Sequence, residues 1–166
     1  WINSKSKTTS LYKKIKNKTL DSFVRNEREK NNNETYETSI SGVRKIFKSL
    51  LSKNVICLAA DQVPQAGMGE YVKFFNRDAY TTTLASSLAY KTGKPVIYCS
   101  MNSDNNKNLF VSIKPCHESI YNDSKRLHSM NNSIENLINI NPKDYSWEYK
   151  RFKKAQPKNI DPYLKA

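Results

Sequence analysis

The sequence predicts a mixed α/β fold in which a mostly parallel sheet is flanked by helices. Two helix-then-strand units support this prediction. The first places apolar residues at helical spacing over residues 43–51 and follows them with the continuous apolar run 55–60. The second is a helix that bears Leu84 and Leu88, closes at Gly93 and leads into the apolar strand 96–99. Such alternation of helix and strand is typical of parallel sheets.

The remaining elements follow from caps, turns and alternation of apolar residues. In the first part of the chain they are a helix from the cap Thr19 to about Asn31, an edge strand over 34–39 and the cap Ser41 of the 43–51 helix. Further on, a threonine cap at 81–83 begins the next helix, and a hairpin pairs 96–101 with 109–114. The last helix opens at Asn132 with Glu135 in a capping box, buries Ile134, Leu137 and Ile138, and stops before Pro142. Between residues 61 and 81 the sequence predicts a loop.

Composition indicates a modest core and an anionic partner. The 166 residues are 37% hydrophobic, which suits one domain with long polar edges. Lys and Arg total 28 against 15 Asp and Glu, a net charge of +13. That charge favours nucleic acid, a membrane surface, lipid phosphates or an acidic protein as partner. A genome biased towards Lys, Asn and Ile codons would raise it without functional cause.

The cysteine content and the hydropathy of the chain argue against several classes of protein. Cys57, Cys99 and Cys116 are an odd set without C-x-x-C spacing, which argues against a disulfide framework and a structural zinc site, so buried reduced thiols and no metal or cofactor are expected. No apolar run approaches the ~20 residues that cross a bilayer, and no signal peptide is evident. Since the first residue is Trp, the N-terminus of the encoded protein is expected to be missing.

Asp61 follows directly after the apolar run 55–60. A buried strand would place this carboxylate at the carboxyl end of a sheet, where ligands bind in open α/β folds. The same spacing also fits an Asp that caps a loop.

The first long helix carries a second candidate, Arg28. Its apolar stripe is Leu20, Phe23 and Val24, and continuing at helical spacing brings Glu27 and Arg28 onto that inward face. A cation on a buried stripe needs a partner. Pairing with Glu27 or a neighbour at the helix end would provide one, and Arg25 becomes the candidate if the register shifts by one turn.

The segment 142–154 interleaves aromatic and basic side chains. Its aromatic residues are Tyr145, Trp147, Tyr149 and Phe152, and its cations include Lys150, Arg151, Lys153 and Lys154. This mixture fits single-stranded nucleic acid, which binds by stacking and phosphate contact. It fits equally a helix that packs its rings inward and its cations outward.

Two motifs resemble one family. The chain carries Asp61-Gln62, then Phe74-Phe75, Ala79 and a threonine run. This is similar to the central Asp-Gln or Asp-His, Val-Pro-Phe-Phe-Gly-x-Pro-Ala and Thr of the bacterial lipid A biosynthesis acyltransferases, the lauroyl/myristoyl transferase family. The family also ends in Pro-x-Gln-Tyr-x-Trp-x-His-Arg-Arg-Phe-Lys. The matches to this second motif are Pro142, Tyr145, Trp147, Arg151, Phe152 and Lys153, and the departures in both motifs are Lys73, Asn76, Asp78, Asp144, Tyr149 and Lys150.

The resemblance covers roughly residues 11–153. It implies a glycerolipid-acyltransferase-like fold, with residues 1–153 as the C-terminal part of a single acyltransferase domain and residues 154–166 as a basic tail. Family members carry an Arg where Arg28 falls, which implies contact with a phosphate or carboxylate through bidentate hydrogen bonds. The site residues so implied are Arg28 and Asp61 as catalytic groups, with Arg28, Arg151 and Lys153 binding substrate.

The family's catalytic His and acid, separated by four residues, lie upstream of the matching segment. This chain's histidines, His117 and His128, are followed at that spacing by Asn122 and Ser133, so both are expected to be surface residues. Since the imidazole serves as general base on the acceptor hydroxyl, the chain is expected to be a fragment that is inactive alone.

The resemblance implies a function and a location. The expected function is transfer of a fatty acyl chain from acyl carrier protein to a hydroxyl of a lipid A precursor, with the enzyme peripheral on the cytoplasmic face of the inner membrane. The expected partners are the carrier protein, the precursor and the anionic membrane surface, without nucleic acid. The alternatives are a glycerolipid or lysophospholipid acyltransferase and a basic nucleic-acid-binding module.

Overall fold

The chain divides into two compact units, Trp1–Ala59 and Ala60–Ala166. The computed structural model describes residues 2–154 and 162–163, without the side chains of Asn3 and Ser4. One domain over residues 1–153 stays a prediction. Most of the predicted basic tail, residues 154–166, lies outside the described residues.

The first unit is a three-stranded parallel sheet with helices. In its sheet the strand Thr8–Tyr12 lies between Glu34–Glu37 and Val55–Cys57, and both pairings are parallel. The parallel arrangement predicted for this part of the chain is therefore confirmed. The elements are α1 (Ile2–Lys5), β1 (Thr8–Tyr12), α2 (Lys18–Glu29), β2 (Glu34–Glu37), α3 (Ile40–Leu51) and β3 (Val55–Cys57), with a short 3-10 turn at Lys30–Asn32.

The N-caps of both long helices of this unit lie two residues before the predicted caps. The Asn17 side chain, not Thr19, caps α2 by accepting a hydrogen bond from Leu20 N at 3.0 Å. The Ser39 side chain, not Ser41, caps α3 by accepting from Gly42 N at 3.0 Å. In each case the residue that caps is the one with extended backbone, whose oxygen reaches the free N–H groups of the first turn.

The prediction of a buried strand over residues 55–60 is wrong. The strand β3 covers only Val55–Cys57 and lies at an edge of the three-stranded sheet, where Val55 is exposed. Its ladder ends at the pair Ser10–Cys57. Polar side chains occupy much of this unit's interior: the hydroxyls of Thr9 and Ser49 are 2.6 Å apart and both residues are buried. An apolar run therefore did not specify burial here, because the strand it pairs with, β1, is itself rich in polar residues.

The second unit contains two antiparallel hairpins and two helices. Its elements are β4 (Gly69–Phe74), β5 (Arg77–Thr82), α4 (Leu84–Thr92), β6 (Ile97–Ser103), β7 (Leu109–Pro115) and α5 (Arg126–Ile138), with 3-10 turns at Glu118–Tyr121 and Pro142–Asp144. The pairings are β4 with β5 and β6 with β7. A mostly parallel sheet is thus wrong for this unit, whereas the predicted hairpin of 96–101 with 109–114 is confirmed.

The hairpin β4–β5 occupies a stretch predicted to be a loop. Its turn residues Phe75 and Asn76 have φ of 46° and 59°, the left-handed pair that a two-residue hairpin turn requires. Val72, Phe74 and Ala79 alternate into the core. Asn readily adopts positive φ but Phe does not, which is why the dipeptide gave little turn signal.

The helix α4 closes at Gly93 in the left-handed conformation, with φ of 61°, as predicted. Helix α5 begins at Arg126, six residues before the predicted Asn132. Glu135 belongs to no capping box, since its Oε1 accepts a hydrogen bond from Phe75 N at 2.9 Å. The inward positions of Ile134, Leu137 and Ile138 are confirmed.

The core of the second unit encloses a buried polar network. Its apolar members are Val72, Phe74, Ala79, Ala89, Ile120, Leu127, Met130, Ile134 and Ile138. Within this unit Thr81 Oγ1 accepts from Arg151 Nη2 at 2.8 Å and from Asn131 Nδ2 at 3.2 Å, and donates to Ala79 O at 3.0 Å. Asn131 Nδ2 also donates to Lys73 O at 2.8 Å. The network therefore joins both strands of one hairpin to α5 and to the C-terminal segment.

We expect Asn131→Ala to lower the free energy of unfolding by about 1–3 kcal/mol, because Lys73 O loses a buried donor and Thr81 loses one of two. Urea unfolding measures the loss. The matched control is Asn132→Ala, one residue on in the same helix but exposed, which should change stability by less than about 0.5 kcal/mol. Equal effects of the two substitutions would contradict the network.

We expect Arg151→Lys to cost about 1.5–3 kcal/mol, the worth of a hydrogen bond to a charged group. A lysine keeps the charge but lacks the planar fork that reaches Tyr80 O and Thr81 Oγ1 together. The control Lys153→Arg, at an exposed residue of the same segment, should leave the unfolding midpoint in urea unchanged. A stable Arg151→Lys protein would show that charge alone suffices.

Candidate functional site

Asp61 lies in a turn at the start of the second unit and is half-buried. Because β3 ends at Cys57, three residues separate the strand from the carboxylate, and the predicted position at a strand's carboxyl end is wrong. Its Oδ2 accepts a hydrogen bond from the Tyr145 hydroxyl at 3.4 Å. No hydrogen bond to Oδ1 occurs among the described residues. The carboxylate is therefore held on one side and open to a donor on the other.

The C-terminal segment contacts the loop 61–64 at three points. Tyr145 binds the Asp61 carboxylate, and the Tyr149 hydroxyl accepts from Val63 N at 2.7 Å. Lys154 Nζ donates to Pro64 O. These contacts join residues 84 to 90 positions apart. The loop that carries Asp61 is thus fixed by side chains of a distant part of the chain.

The segment itself is not the predicted helix with inward rings and outward cations. After the 3-10 turn Pro142–Asp144 it continues through turns closed by short-range bonds, such as Trp147 N to Tyr145 O at 2.8 Å. Arg151 points inward and is only 2% exposed, whereas Trp147 is exposed. The hydrogen bonds of Arg151 to the buried end of β5 explain this inversion, since they compensate a cation for the loss of water.

Arg151 is committed to the protein. Its Nη1 donates to Tyr80 O at 2.9 Å, its Nη2 donates to Thr81 Oγ1, and its guanidinium lies 5.1 Å from the Phe74 ring centroid. Burial lowers the pKa of Arg151 below its ordinary value, while the nearby side-chain oxygens of Tyr145 and Asp61 oppose that shift. Nη1 and Nη2 are both hydrogen-bonded within the protein, and the remaining nitrogen, Nε, is buried. Arg151 therefore has no exposed, unbonded guanidinium nitrogen for the predicted contact with substrate.

The electrostatic surroundings keep Tyr145 a donor. Burial raises the pKa of the Tyr145 phenol above its ordinary value, and the charge of Asp61 raises it further, while Arg151 opposes the shift. A neutral phenol at physiological pH can donate to a carboxylate. The Tyr145 hydroxyl is therefore under the influence of both the fixed cation Arg151 and the carboxylate of Asp61.

Lys153, the other predicted substrate contact in this segment, is exposed. Its Nζ lies 4.6 Å from the Tyr149 ring centroid, and the neighbouring Lys154 Nζ lies 4.8 Å from that of Tyr80. Cation–π contacts of this kind leave the ammonium hydrogens free to bind an anion. The second unit thus brings together Asp61, Arg151 and Lys153 through two tyrosines.

Arg28 belongs to the first unit and is exposed. Its predicted inward stripe is wrong, because Leu20 is 49% and Phe23 62% exposed and α2 buries none of its residues. Glu27, the predicted ion-pair partner of Arg28, pairs instead with Lys30 at 2.7 Å. The alternative candidate Arg25 pairs with Glu29 at 3.0 Å. Arg28 makes no ion pair or hydrogen bond with the described residues, so its guanidinium can bind an external anion.

His117 and His128 are exposed, as predicted. The Nδ1 atom of His117 accepts a hydrogen bond from Ser119 N at 3.1 Å, which is a capping contact of the turn Glu118–Tyr121. Among residues 2–154 and 162–163, no three His, Cys, Asp or Glu side chains gather closely enough to hold a metal ion. Within the same residues, the helices are too short or too polar to cross a membrane.

The sequence missed the roles of Tyr145 and Tyr149 at the site. Tyr145 matched the family motif and Tyr149 departed from it, yet both hydroxyls bind the loop 61–64. The two tyrosines lie in a segment rich in aromatic and basic side chains, but no local pattern indicates which distant part of the chain they reach. Together the cluster offers an open carboxylate oxygen for a hydroxyl or ammonium group and exposed cations for an anion.

Comparison with known proteins places the chain in a family. The family model described as bacterial lipid A biosynthesis acyltransferase matches residues 1–154. No curated protein matches the chain. Because the match includes the Asp61 loop, the segment that fixes it and the helix of Arg28, the chain belongs to the bacterial lipid A biosynthesis acyltransferase family.

Proposed function

We propose that this chain is the C-terminal part of an enzyme that transfers a fatty acyl chain from acyl carrier protein to a hydroxyl of a lipid A precursor. Membership of the family, which rests on the match over residues 1–154, carries this proposal and supports an acyltransferase role. The proposal includes a glycerolipid-acyltransferase-like fold for the whole enzyme.

Asp61 and Arg28 have the chemistry that this reaction needs. The open Oδ1 of Asp61 can accept a hydrogen bond from the acceptor hydroxyl and orient it for attack on the acyl thioester. The exposed guanidinium of Arg28 can bind a lipid A phosphate through two parallel hydrogen bonds. Lys153 would add a second phosphate contact. Arg151 would contribute indirectly, because its hydrogen bonds to β5 hold the C-terminal segment in place.

The general base is proposed to be a histidine outside these 166 residues. An unactivated hydroxyl is a weak nucleophile at neutral pH, so a base must accept its proton. His117 and His128 lack an acid at the family's spacing and are exposed. The 166 residues would therefore supply binding and positioning groups and remain inactive by themselves.

The basic first unit is suited to an anionic membrane surface. Residues 1–59 hold 13 Lys and Arg against 5 Asp and Glu, a net charge of +8 out of +13. Lys13, Lys16 and Lys18 are exposed just before or at the start of α2, whose Leu20 and Phe23 are also exposed. Cations beside exposed apolar side chains on a helix are typical of binding to the headgroup region. We infer peripheral attachment to the cytoplasmic face of the inner membrane.

In the enzyme that contains these residues, we expect Asp61→Ala and Arg28→Ala each to lower acyl transfer by about 100-fold or more, the scale of losing a positioning or charge-stabilising group. Radiolabelled transfer from acyl carrier protein to a lipid A precursor measures this. Arg25→Ala is the matched control, because Arg25 lies on the same helix but pairs with Glu29. The double variant His117→Ala/His128→Ala should retain turnover.

Near-normal turnover in a folded Arg28→Ala enzyme would show that Arg28 is not a residue of the site. Loss of turnover in the histidine double variant would show that the base lies within these residues. A lysophospholipid acceptor used in preference to the lipid A precursor would favour a glycerolipid acyltransferase instead.

We expect the protein to sediment with vesicles of phosphatidylcholine and phosphatidylglycerol, less with added salt, and not with phosphatidylcholine alone. Phe23→Ser should weaken sedimentation about tenfold, because the apolar contact is lost. The matched control is Leu109→Ser, since Leu109 is 71% exposed in the other unit. A larger loss of sedimentation for Leu109→Ser would show that the docking surface is the hairpin β6–β7.

Sequence-selective, submicromolar binding of an oligonucleotide at physiological salt would favour the nucleic-acid alternative.

A further inference from the structure

Tyr145 is the one described side chain that donates a hydrogen bond to the Asp61 carboxylate. Its hydroxyl lies 3.4 Å from Oδ2, and the two residues are 84 positions apart. This distance is long for a fixed hydrogen bond but within reach of small movements when a substrate binds. The contact therefore needs a rigid support on the tyrosine side to determine where the carboxylate points.

The ring of Tyr145 has that support. It packs against the apolar core of the second unit and meets the Trp147 ring edge to face, with 5.0 Å between centroids. The Trp147 Nε1 in turn donates to Pro142 O at 2.7 Å. Aromatic pairs of this geometry favour one ring orientation over others. The hydroxyl is thus presented at a defined position beside the loop.

Arg151 adds a fixed charge behind this contact. Its guanidinium is bound to Tyr80 O and Thr81 Oγ1 at the end of β5, and it attracts both the Asp61 carboxylate and the Tyr145 oxygen. No carboxylate forms a salt bridge with Arg151 among the described residues. Asp61 is the carboxylate whose charge acts on Arg151 without pairing with it, and the same carboxylate accepts the hydrogen bond from Tyr145.

The backbone of the loop is held independently of the carboxylate. Val63 N donates to the Tyr149 hydroxyl, and Pro64 O accepts from Lys154 Nζ. Loss of the Tyr145 hydroxyl would therefore release the carboxylate while the loop stays in place. The roles of holding the loop and aiming the side chain fall on different residues of one segment.

We propose that Tyr145 is a positioning residue that binds one oxygen of Asp61 so that the other is aimed at the acceptor hydroxyl. This inference rests on the proposed acyl transfer. Tyr145 itself touches no reacting atom and transfers no proton in the reaction. Its whole effect on turnover passes through Asp61, and that property separates it from a residue which merely stabilises the fold.

The test is a double-mutant cycle in the complete enzyme. Tyr145→Phe keeps the ring and removes only the hydroxyl, and we expect kcat to fall about tenfold with KM for the acyl donor unchanged, because orientation in the transition state is lost. In an Asp61→Ala background the same change should have no further effect on kcat. The matched control is Tyr121→Phe, which removes a comparable hydrogen bond to a backbone oxygen, Lys94 O at 3.1 Å, and should leave kcat unchanged.

The proposal would be overturned if Tyr145→Phe lowered kcat equally with Asp61 present and in the Asp61→Ala background. It would also be overturned if Tyr145→Phe left kcat unchanged in the enzyme that retains Asp61. Urea unfolding of the same four proteins gives a readout without turnover, since a direct hydrogen bond makes the two effects on stability non-additive. Additive effects there would also count against the contact. If the unmodified enzyme transfers no acyl group, the proposed function fails; if it does so but ignores Tyr145→Phe, only the positioning role fails.

Discussion

The second unit depends on a buried cation that has no ion-paired carboxylate among the described residues. A guanidinium removed from water is costly unless its hydrogen bonds are replaced. Arg151 obtains them from Tyr80 O and Thr81 Oγ1 at the end of β5, and the ring of Phe74 covers it. This single requirement draws the C-terminal segment onto the hairpin and determines which of its side chains reach the loop 61–64.

The same requirement separates residues that look alike in sequence. Arg151 and Lys153 are both basic members of one motif, yet the first is buried and hydrogen-bonded while the second is exposed over an aromatic ring. Their functional consequences differ accordingly. An exposed ammonium can meet a phosphate of a substrate, whereas a buried guanidinium shapes the site from behind by fixing the chain that carries Tyr145.

The two units contribute different properties to one proposed reaction. The first carries most of the net positive charge and an exposed helix with Arg28, which suits contact with phosphates and a charged membrane surface. The second carries Asp61 in a loop held by hydrogen bonds to distant side chains. In the proposed reaction, anion attraction would come from exposed surface cations, and orientation from the packed interior of the second unit.

The sequence by itself determined the family. It also determined the helices of strong periodicity, the left-handed stop at Gly93 and the hairpin β6–β7, because these elements depend on neighbouring residues and local backbone preference. It did not determine that the run 55–60 would form only a short edge strand, that Phe75 and Asn76 would turn a hairpin, or that Arg151 would be buried. Those outcomes depend on partners many residues away. The site follows the same division: sequence indicated Asp61, but only the tertiary structure, by bringing Tyr145 across 84 residues to its carboxylate, decided what holds it.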